Sequence, residues 1–157
     1  MSASASTEYT IIRLDPEDFP KCGNIWDMER HREQAAGWLA QLRAGNRLTY
    51  VCQTGGQFIG EISLVFSHTD SDYTAPGRRA YISRLVVKPE YRRRGVGRVL
   101  VRFIAEKAAE LGYKEFSIGV DLDNYPALKL YAEEGFERIL RVDEDKQGKY
   151  LKLLKTL

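Results

Sequence analysis

Apolar side chains recur every three or four residues between Gly95 and Leu111, which predicts an amphipathic helix with one face against a core. The apolar face consists of Val96, Leu100, Phe103, Ile104 and Ala108. Gly112 follows directly and is a typical helix stop. The clearest helix of the chain is therefore expected at residues 95–111.

Two further stretches carry helical patterns. The first covers residues 15–44 with a break near His31, and Asp15 is its candidate N-cap because Pro16 follows at the first helical position. Gly45 ends this pattern, as glycine commonly does after a helix. The second covers residues 125–134 and stops at Gly135.

Short β-rich stretches surround these helices. Seven are predicted as strands, at residues 9–14, 47–53, 57–67, 80–87, 116–120, 136–142 and 149–157. The Thr54-Gly55-Gly56 sequence predicts a hairpin turn, residues 68–78 a loop, and the charged residues 143–148 a second turn. This order of elements predicts an α/β (α+β) fold: a mixed central sheet of six to seven strands with helices on both faces.

Composition narrows the class of protein only slightly. The 157 residues are 43% hydrophobic and 29% charged, which is an ordinary mixture for a soluble domain. The net charge of +2, from 24 Lys and Arg against 22 Asp and Glu, gives no global attraction to nucleic acid or membranes. Any electrostatic function must therefore depend on local clusters of charge.

The cysteines and the first residues complete this picture. Cys22 and Cys52 lie far apart outside any CxxC or Cys/His cluster, so we expect two buried free thiols, no metal site and a reducing, cytoplasmic location. Residues 1–7 are rich in Ser and Ala without the pattern of a signal peptide, and no apolar run reaches membrane-spanning length. We expect a flexible tail at residues 1–7 and a single domain at residues 8–157.

The junction between the predicted strand 80–87 and the helix that follows carries the strongest chemical signal. Three arginines and two glycines follow Pro89 in the sequence Arg92-Arg93-Arg94-Gly95-Val96-Gly97. The first N–H groups of a helix lack partners and carry positive dipole charge, and glycines let an anion approach the backbone. Arg98 adds further positive charge, so the segment predicts an anion site. Neither a Walker loop nor a dinucleotide fingerprint fits these glycines.

Two motifs together indicate which anion binds. Residues 92–97 fit the pattern [Q/R]xxGx[G/A], and residues 124–136 fit NxxAxx[L/F]YxxxGF with Asn124, Ala127, Tyr131, Gly135 and Phe136. In these motifs the chain resembles the GNAT superfamily of N-acetyltransferases. The resemblance extends over residues 9–157, although only residues 80–136 carry specific motifs.

The resemblance implies acetyl-CoA as co-substrate and no metal. It implies that the strand backbone of Leu85, Val86 and Val87 runs beside the pantetheine arm and helps to stabilise the oxyanion. It further implies a pyrophosphate site made mostly of backbone N–H groups, at Arg92, Arg93, Arg94, Gly95, Val96, Gly97 and Arg98. Asn124 is expected to contact the coenzyme, to cap its helix, or to do both.

Tyr131 is the candidate general acid. A phenol with a pKa of about 10 can protonate a leaving thiolate whose conjugate acid has a pKa of about 8.5. The alternative is a tyrosine of the core, because Leu128, Tyr131 and Ala132 share one helical stripe.

The general base is less clear, because many members of the superfamily carry an acidic residue where this chain has Ser83 and Arg84. Glu61 is the nearest replacement, acting through a water, and His68 and Asp72 are weaker candidates. The competing hypothesis for Glu61 is an ion pair with Arg84 across neighbouring strands.

The acceptor is expected to be a primary amine, of a small molecule or of a peptide, that attacks acetyl-CoA directly in a ternary complex. Residues 19–44 and 68–78 are expected to line its pocket. Acidic residues beside the groove either recruit a cationic amine or form a solvated face; they are Asp121, Asp123, Glu133, Glu134, Asp143, Glu144 and Asp145.

Other functions stay open at this point. A non-catalytic module that senses acyl-CoA would explain the missing strand carboxylate. A nucleic-acid-binding domain would use the arginines near Arg92, but interleaved aromatics and a broad basic face are lacking, so no nucleic acid is expected as a partner. The superfamily often forms homodimers, although no feature of this sequence requires one.

Overall fold

The computed structural model describes residues 8–157, and the predicted tail at residues 1–7 lies outside the described residues. Its strands are β1 (Thr10–Arg13), β2 (Arg47–Thr54), β3 (Gln57–Val65), β4 (Arg79–Val87), β5 (Glu115–Asp121), β6 (Arg138–Asp145) and β7 (Gly148–Thr156). Its α-helices are α1 (Arg32–Ala44), α2 (Val96–Glu110) and α3 (Tyr125–Glu133). Two 3₁₀ helices occupy Pro16–Asn24 and Pro89–Tyr91.

The strands form one mixed sheet in the order β1-β2-β3-β4-β5-β7-β6. Strands β4 and β5 are parallel, and every other neighbouring pair is antiparallel. A parallel pair needs a long crossover, which α2 supplies here. The predicted fold class and the predicted six to seven strands are confirmed, with seven strands present.

Helices cover both faces of the sheet, also as predicted, because side chains alternate along each strand. On β3, Ile62 and Leu64 belong to the core cluster that contains the apolar face of α2, including Leu100 and Ile104. Val51, which is paired with Glu61, belongs to a second cluster with the first 3₁₀ helix and α1. The same alternation turns Glu61 away from α2, toward the α1 face.

The first helical segment is broken where the sequence predicts. Asp15 caps it, because its carboxylate accepts a hydrogen bond from the Glu17 N–H at 2.9 Å. The segment is a 3₁₀ helix with Pro20 inside it, and α1 begins only after His31. Gly45 closes α1 in the left-handed conformation. In residues 8–157, no helix combines the length and apolar composition needed to cross a bilayer.

The predicted turn at residues 143–148 is too long. Strand β6 continues to Asp145, which pairs with Gly148, so only Lys146 and Gln147 connect the two strands. Charge at residues 143–145 does not prevent a strand here, because β6 is an edge strand whose side chains are mostly exposed.

Candidate active site

Strands β4 and β5 pair over only the first half of β4. Their register runs from Arg79 opposite Glu115 to Ile82 opposite Ile118, and no pairing follows. Residues 83–87 of β4 therefore keep β3 on one side and present backbone N–H and C=O groups without a strand partner on the other.

A β-bulge lies at the point of separation. Glu61 is opposite Val86 and Ser63 is opposite Ser83, so β4 holds one more residue than β3 between these two pairs. Arg84 occupies the bulge with φ of 56°, a left-handed conformation that costs a non-glycine residue about 1–3 kcal/mol. The bulge bends β4 beside the gap and changes the direction of the Arg84 side chain.

The first of two cavities beside the gap, called the loop groove here, has a volume of about 740 Å³. It lies between the end of β4, the start of α2 and the start of α3. Its lining comprises Leu85, Val86, Val87, Tyr91, Arg92, Arg93, Gly95, Gly97, Arg98, Asn124, Pro126, Ala127 and Leu130. Two of the predicted coenzyme residues are not in this lining: Val96 is buried in the core, and Arg94 packs on the Tyr91 ring at 5.4 Å.

The loop before α2 has the backbone of an anion cradle. Arg93 and Gly95 both have positive φ, of 64° and 83°, which turns the chain sharply into the helix. The first hydrogen bond of the regular helical type runs from Val99 N–H to the Gly95 carbonyl at 3.1 Å. The preceding N–H groups, including that of Gly97 in the groove lining, have no intrahelical acceptor.

The arginines of this segment have different hydrogen-bond acceptors. Arg92 donates from Nε to the Val87 carbonyl at 3.0 Å and so closes the loop against β4. The Arg98 guanidinium donates to Glu134 at 2.7 Å and to Glu133 at 2.8 Å. The positive charge of Arg98 is therefore compensated within the protein, and its side chain links α2 to α3.

The second cavity, called the tyrosine cavity here, has a volume of about 400 Å³. Its lining is rich in phenols and also carries two carboxylates: Tyr73, Tyr81, Ile82, Arg84, Leu85, Ile118, Gly119, Val120, Asp121, Asn124, Ala127, Tyr131, Asp145 and Tyr150. Leu85, Asn124 and Ala127 line both cavities. The loop groove and the tyrosine cavity therefore meet beside the gap between β4 and β5.

Tyr131 lies on α3 with its side chain in the wall of the tyrosine cavity. It is only 6% exposed, and its ring packs edge to face on Phe136. Burial, with a smaller contribution from Tyr81, raises the pKa of Tyr131 to about 12. The phenol is therefore protonated throughout the pH range in which most enzymes work, as a proton donor must be.

Asn124 is the N-cap of α3, where its Oδ1 accepts a hydrogen bond from the Ala127 N–H at 3.3 Å. The capping part of the prediction is confirmed. The residue also lies at the junction of the two cavities.

Glu61 lies in neither cavity lining and is only 3% exposed. Its carboxylate accepts a hydrogen bond from the indole N–H of Trp26, and burial raises its pKa. The competing hypothesis of an ion pair with Arg84 is wrong, because the bulge takes Arg84 out of register and its guanidinium packs on Trp26 instead. The positive charge of Arg84 nevertheless favours the ionised form of Glu61.

The weaker base candidates, His68 and Asp72, already have hydrogen-bond partners within the protein. His68 Nδ1 accepts a hydrogen bond from the Asp70 N–H at 2.9 Å, which assigns the ring proton to Nε2 and occupies the basic nitrogen. Asp72 binds Lys152 and Arg141, and the hydrogen bond from Lys152 is the main reason that its pKa is lowered. A carboxylate with a lowered pKa is a poor general base.

The acidic residues predicted beside the groove separate into groups with different partners. Asp121 and Asp145 line the tyrosine cavity. Glu133 and Glu134 instead bind Arg98, and Asp143 binds Lys152 at 3.4 Å. Only two of the seven therefore contribute charge to the cavity lining.

Three phenols of the tyrosine cavity were not predicted. Tyr73 comes from the predicted loop, where no periodicity indicates which side chains turn inward. Its hydroxyl lies so close to Gly119 that a Cβ there would approach it to 2.5 Å, so a larger residue at this position would displace the Tyr73 side chain. Tyr81 and Tyr150 enter from β4 and β7, and alternation with the buried Ile82 and the partly buried Leu151 would have placed them on the opposite face of each strand.

A sequence model of the Acetyltransferase (GNAT) family matches residues 9–136, most of the chain. The chain belongs to this family. The match includes the β4–α2 loop and the whole of α3, so it covers the lining of the loop groove, whereas Asp145 and Tyr150 of the tyrosine cavity lie beyond it.

Individual relatives are more distant. Thialysine N-epsilon-acetyltransferase of Sus scrofa is 37% identical over 62 residues, which is 40% of this chain and 36% of the relative. The match thus spans little more than a third of that protein's length. Among solved structures, the IAA acetyltransferase from Bacillus cereus superposes with a TM-score of 0.74 and 24% identity, over 96% of this chain and 100% of the other. An N-acetyltransferase from Thermoplasma acidophilum in complex with coenzyme A has a TM-score of 0.67 and 17% identity, over 96% and 99% of the two chains. These likenesses show a shared fold.

Proposed function

We propose that this protein transfers the acetyl group of acetyl-CoA to a primary amine by direct attack in a ternary complex. The observation that carries the proposal is the junction of the two cavities. The loop groove ends and the tyrosine cavity begins at Leu85, Asn124 and Ala127, beside the unpaired edge of β4. A long anionic donor and a small acceptor could meet there from opposite sides.

The loop groove suits coenzyme A in charge and shape. The backbone N–H groups before Val99 would hold the pyrophosphate, and the unpaired edge of residues 83–87 would bind the pantetheine arm as an added strand does. Acetyl-CoA supplies the activated acyl group when it is bound. The relative from Thermoplasma acidophilum, solved with coenzyme A, supports this use of the fold.

Tyr131 would supply the proton that the reaction needs. As the acceptor nitrogen bonds to the acetyl carbon and the carbon–sulfur bond breaks, the phenol gives its proton to the leaving sulfur and regains one from solvent. The raised pKa keeps the phenol protonated until this step. Backbone N–H groups at the bulge of β4 would stabilise negative charge on the carbonyl oxygen.

The lining of the tyrosine cavity favours an acceptor with a positive charge in its resting form. Asp121 and Asp145 add negative charge, and the faces of tyrosine rings attract cations. The amine must lose a proton before it attacks. Glu61 is our proposed base, acting through a water because it lies outside the cavity.

The test is release of free thiol from acetyl-CoA across a panel of amines, with Tyr131→Phe beside the parent. We expect a fall in kcat of about 100-fold, the low end of what a general acid contributes, with little change in affinity for coenzyme A. Tyr125→Phe is the matched control, because this tyrosine of the same helix is 74% exposed and lies outside both cavities. Full kcat in Tyr131→Phe would assign this tyrosine to the core alone.

One observation favours a second function, a non-catalytic module that binds acyl-CoA. Each carboxylate considered as base is bound to another side chain, Glu61 to Trp26 and Asp72 to Lys152 and Arg141. Tight binding of coenzyme A without amine-dependent thiol release on any acceptor would support the module.

A further inference from the structure

Arg84 holds a charged side chain without a hydrogen-bond partner. Its guanidinium carbon lies 4.5 Å from the ring centre of Trp26 and 4.1 Å from that of Trp38. Within residues 8–157, Arg84 Nε is the one fully buried side-chain nitrogen or oxygen that makes no hydrogen bond. Buried polar groups in native proteins are nearly always satisfied, so this exception marks Arg84 as a charged group that the protein's own polar groups do not satisfy.

The charges around Arg84 do not cancel. Arg47 is buried beside it and is already held by Gln41 at 2.8 Å and by Ser83 at 3.3 Å. Glu61 is the one carboxylate of this cluster, and a tryptophan indole is its hydrogen-bond donor. Two guanidinium groups thus face one carboxylate, which leaves a net positive charge in a largely buried place. Such a charge is costly unless an anion compensates it.

The position of Arg84 indicates what would bring this anion. The residue lines the tyrosine cavity and is not part of the loop groove. Its guanidinium contacts Trp38 of α1, whereas the loop groove is formed by α2 and α3 on the other face of the sheet. An anion at Arg84 would therefore belong to the acceptor and not to the coenzyme.

We propose that Arg84 binds a carboxylate carried by the acceptor, so that the acceptor is an amino acid or another small amine with its own carboxylate. This proposal rests on the acetyl transfer proposed above. The planar fork of a guanidinium matches a carboxylate in two parallel hydrogen bonds. Asp121 and Asp145 in the same cavity would repel a doubly charged phosphate but attract the ammonium end of such a molecule. The cavity thus offers one site for each end of a zwitterion.

The first experiment compares amines that differ only in the carboxylate: L-lysine with cadaverine, and L-ornithine with putrescine. We expect kcat/KM for the carboxylated member of a pair to be at least about tenfold higher, since a hydrogen bond to a charged group contributes enough for that ratio. In Arg84→Met the ratio should fall toward one, and in Arg84→Lys it should be intermediate. Arg43→Met, at an exposed position near the end of α1, is the control that should keep the parent ratio.

The second experiment does not depend on turnover. Trp26 and Trp38 are the two tryptophans of the chain, and both contact Arg84. Intrinsic fluorescence therefore reports directly on this site. With saturating coenzyme A, titration with L-lysine should give a saturable change in emission that cadaverine does not give, and Arg84→Met should abolish it. Circular dichroism of the variant checks that it is folded.

Two results would overturn the inference: equal kcat/KM for both members of each pair, or an emission response that is the same in the parent and in Arg84→Met. If cadaverine and putrescine are acetylated as well as the amino acids, the proposed acetyl transfer survives and only the carboxylate site is lost. If no amine releases thiol, the proposed function fails, and the fluorescence titration still decides whether Arg84 binds a carboxylate.

Discussion

At the scale of single residues, Tyr131 and Arg84 differ in how far the sequence determines their place. Tyr131 belongs to a motif on a regular helix, so its position relative to Asn124 follows from helical geometry. Arg84 sits in a left-handed conformation at a bulge, and nothing in the residues 80–87 indicates where an extra residue enters the strand. The contact with Trp26 and Trp38 therefore could not be predicted, nor could the absence of the ion pair with Glu61 that was the competing hypothesis.

Glu61→Gln tests the proposed base at this scale. Burial raises the pKa of Glu61, so as a base it should give kcat an acid-side limb with its midpoint above the ordinary glutamate value of about 4.3. Glutamine keeps an acceptor for the Trp26 indole but cannot take a proton. We therefore expect a lower kcat and loss of that limb, measured as a pH–rate profile.

The same variant has a readout in stability. A raised carboxyl pKa in the folded protein means that ionisation opposes folding, so Glu61 destabilises the protein increasingly as pH rises past its ordinary pKa. Urea unfolding measures this effect as a free energy of unfolding. Relative to the parent, this free energy should rise in Glu61→Gln as the pH increases from about 4, near the ordinary glutamate pKa of about 4.3, to neutral. A variant with unchanged kcat and an unchanged profile would exclude Glu61 as the base. Glu90→Gln, at an exposed position, is the control.

At the scale of elements, apolar periodicity and helix-end signals predicted the bounds of α2 well. They did not predict the type of the first helical segment or the length of the β6–β7 turn. The helix α2 begins and ends within one residue of its prediction, because its apolar face is continuous and glycines stand at both ends. The segment after β1 was predicted as an ordinary helical pattern, but it is a 3₁₀ helix at Pro16–Asn24 with Pro20 inside it, and proline removes a hydrogen-bond donor from the backbone. The length of the β6–β7 turn was also missed, since charged residues on an exposed edge strand resemble a turn.

The glycines at the two ends of α2 allow a matched test of the anion cradle. Gly95 and Gly112 both have positive φ, of 83° and 95°, and a Cβ would meet open space at either. Valine at each position should therefore impose a similar backbone strain, of the order of 1–2 kcal/mol. Only Gly95 lies in the loop groove. We expect Gly95→Val to weaken binding of coenzyme A about tenfold or more, since the strained loop relaxes away from the helix terminus.

Isothermal titration with coenzyme A gives the two affinities, and urea unfolding confirms that the two variants lose similar stability. Gly112→Val should bind coenzyme A as the parent does. Equal affinity in both variants would remove the pyrophosphate from this loop.

At the scale of the whole molecule, the site depends on contacts between residues that are far apart in sequence. The loop that carries Tyr73 is fixed by Lys152, whose Nζ lies 2.6 Å from Asp70 and 3.1 Å from Asp72. These partners are about eighty residues away along the chain. The family resemblance predicted the fold and the elements of the loop groove, whereas a pair of this separation leaves no local pattern in the sequence. Of the segments predicted to line the acceptor pocket, residues 68–78 supply Tyr73 to the tyrosine cavity and residues 19–44 supply none of its lining. The wall of the tyrosine cavity was therefore the part that sequence alone could not predict.

Lys152→Met should detach this loop from β7. Lys152 is only 3% exposed, and although burial works against its charge, hydrogen bonds to Asp70 and Asp72 raise its pKa above the ordinary value. The same lysine lowers the pKa of Asp70. We expect a loss of about 2 kcal/mol in the free energy of unfolding at pH 7, at the low side for a buried ion pair because the carboxylates are partly exposed.

The direction in which this stability loss depends on pH follows from the pKa shifts of Asp70 and Lys152. The lowered aspartate pKa gives stability that is present above the ordinary value of about 3.9 and is lost as pH falls through the folded value. The raised lysine pKa gives stability that is complete below about 10.4 and is lost as pH rises through the folded value. The free energies of unfolding of the parent and Lys152→Met should therefore differ most between these two pH values and become similar in acid. Lys149→Met, exposed on the same strand, should match the parent throughout.

Tyr73 lines the tyrosine cavity, which we propose as the acceptor site, but not the loop groove. Lys152→Met should therefore raise KM for the amine and leave coenzyme A affinity unchanged. A variant that loses stability while KM for the amine stays at the parent value would show that Tyr73 holds its place without this lysine.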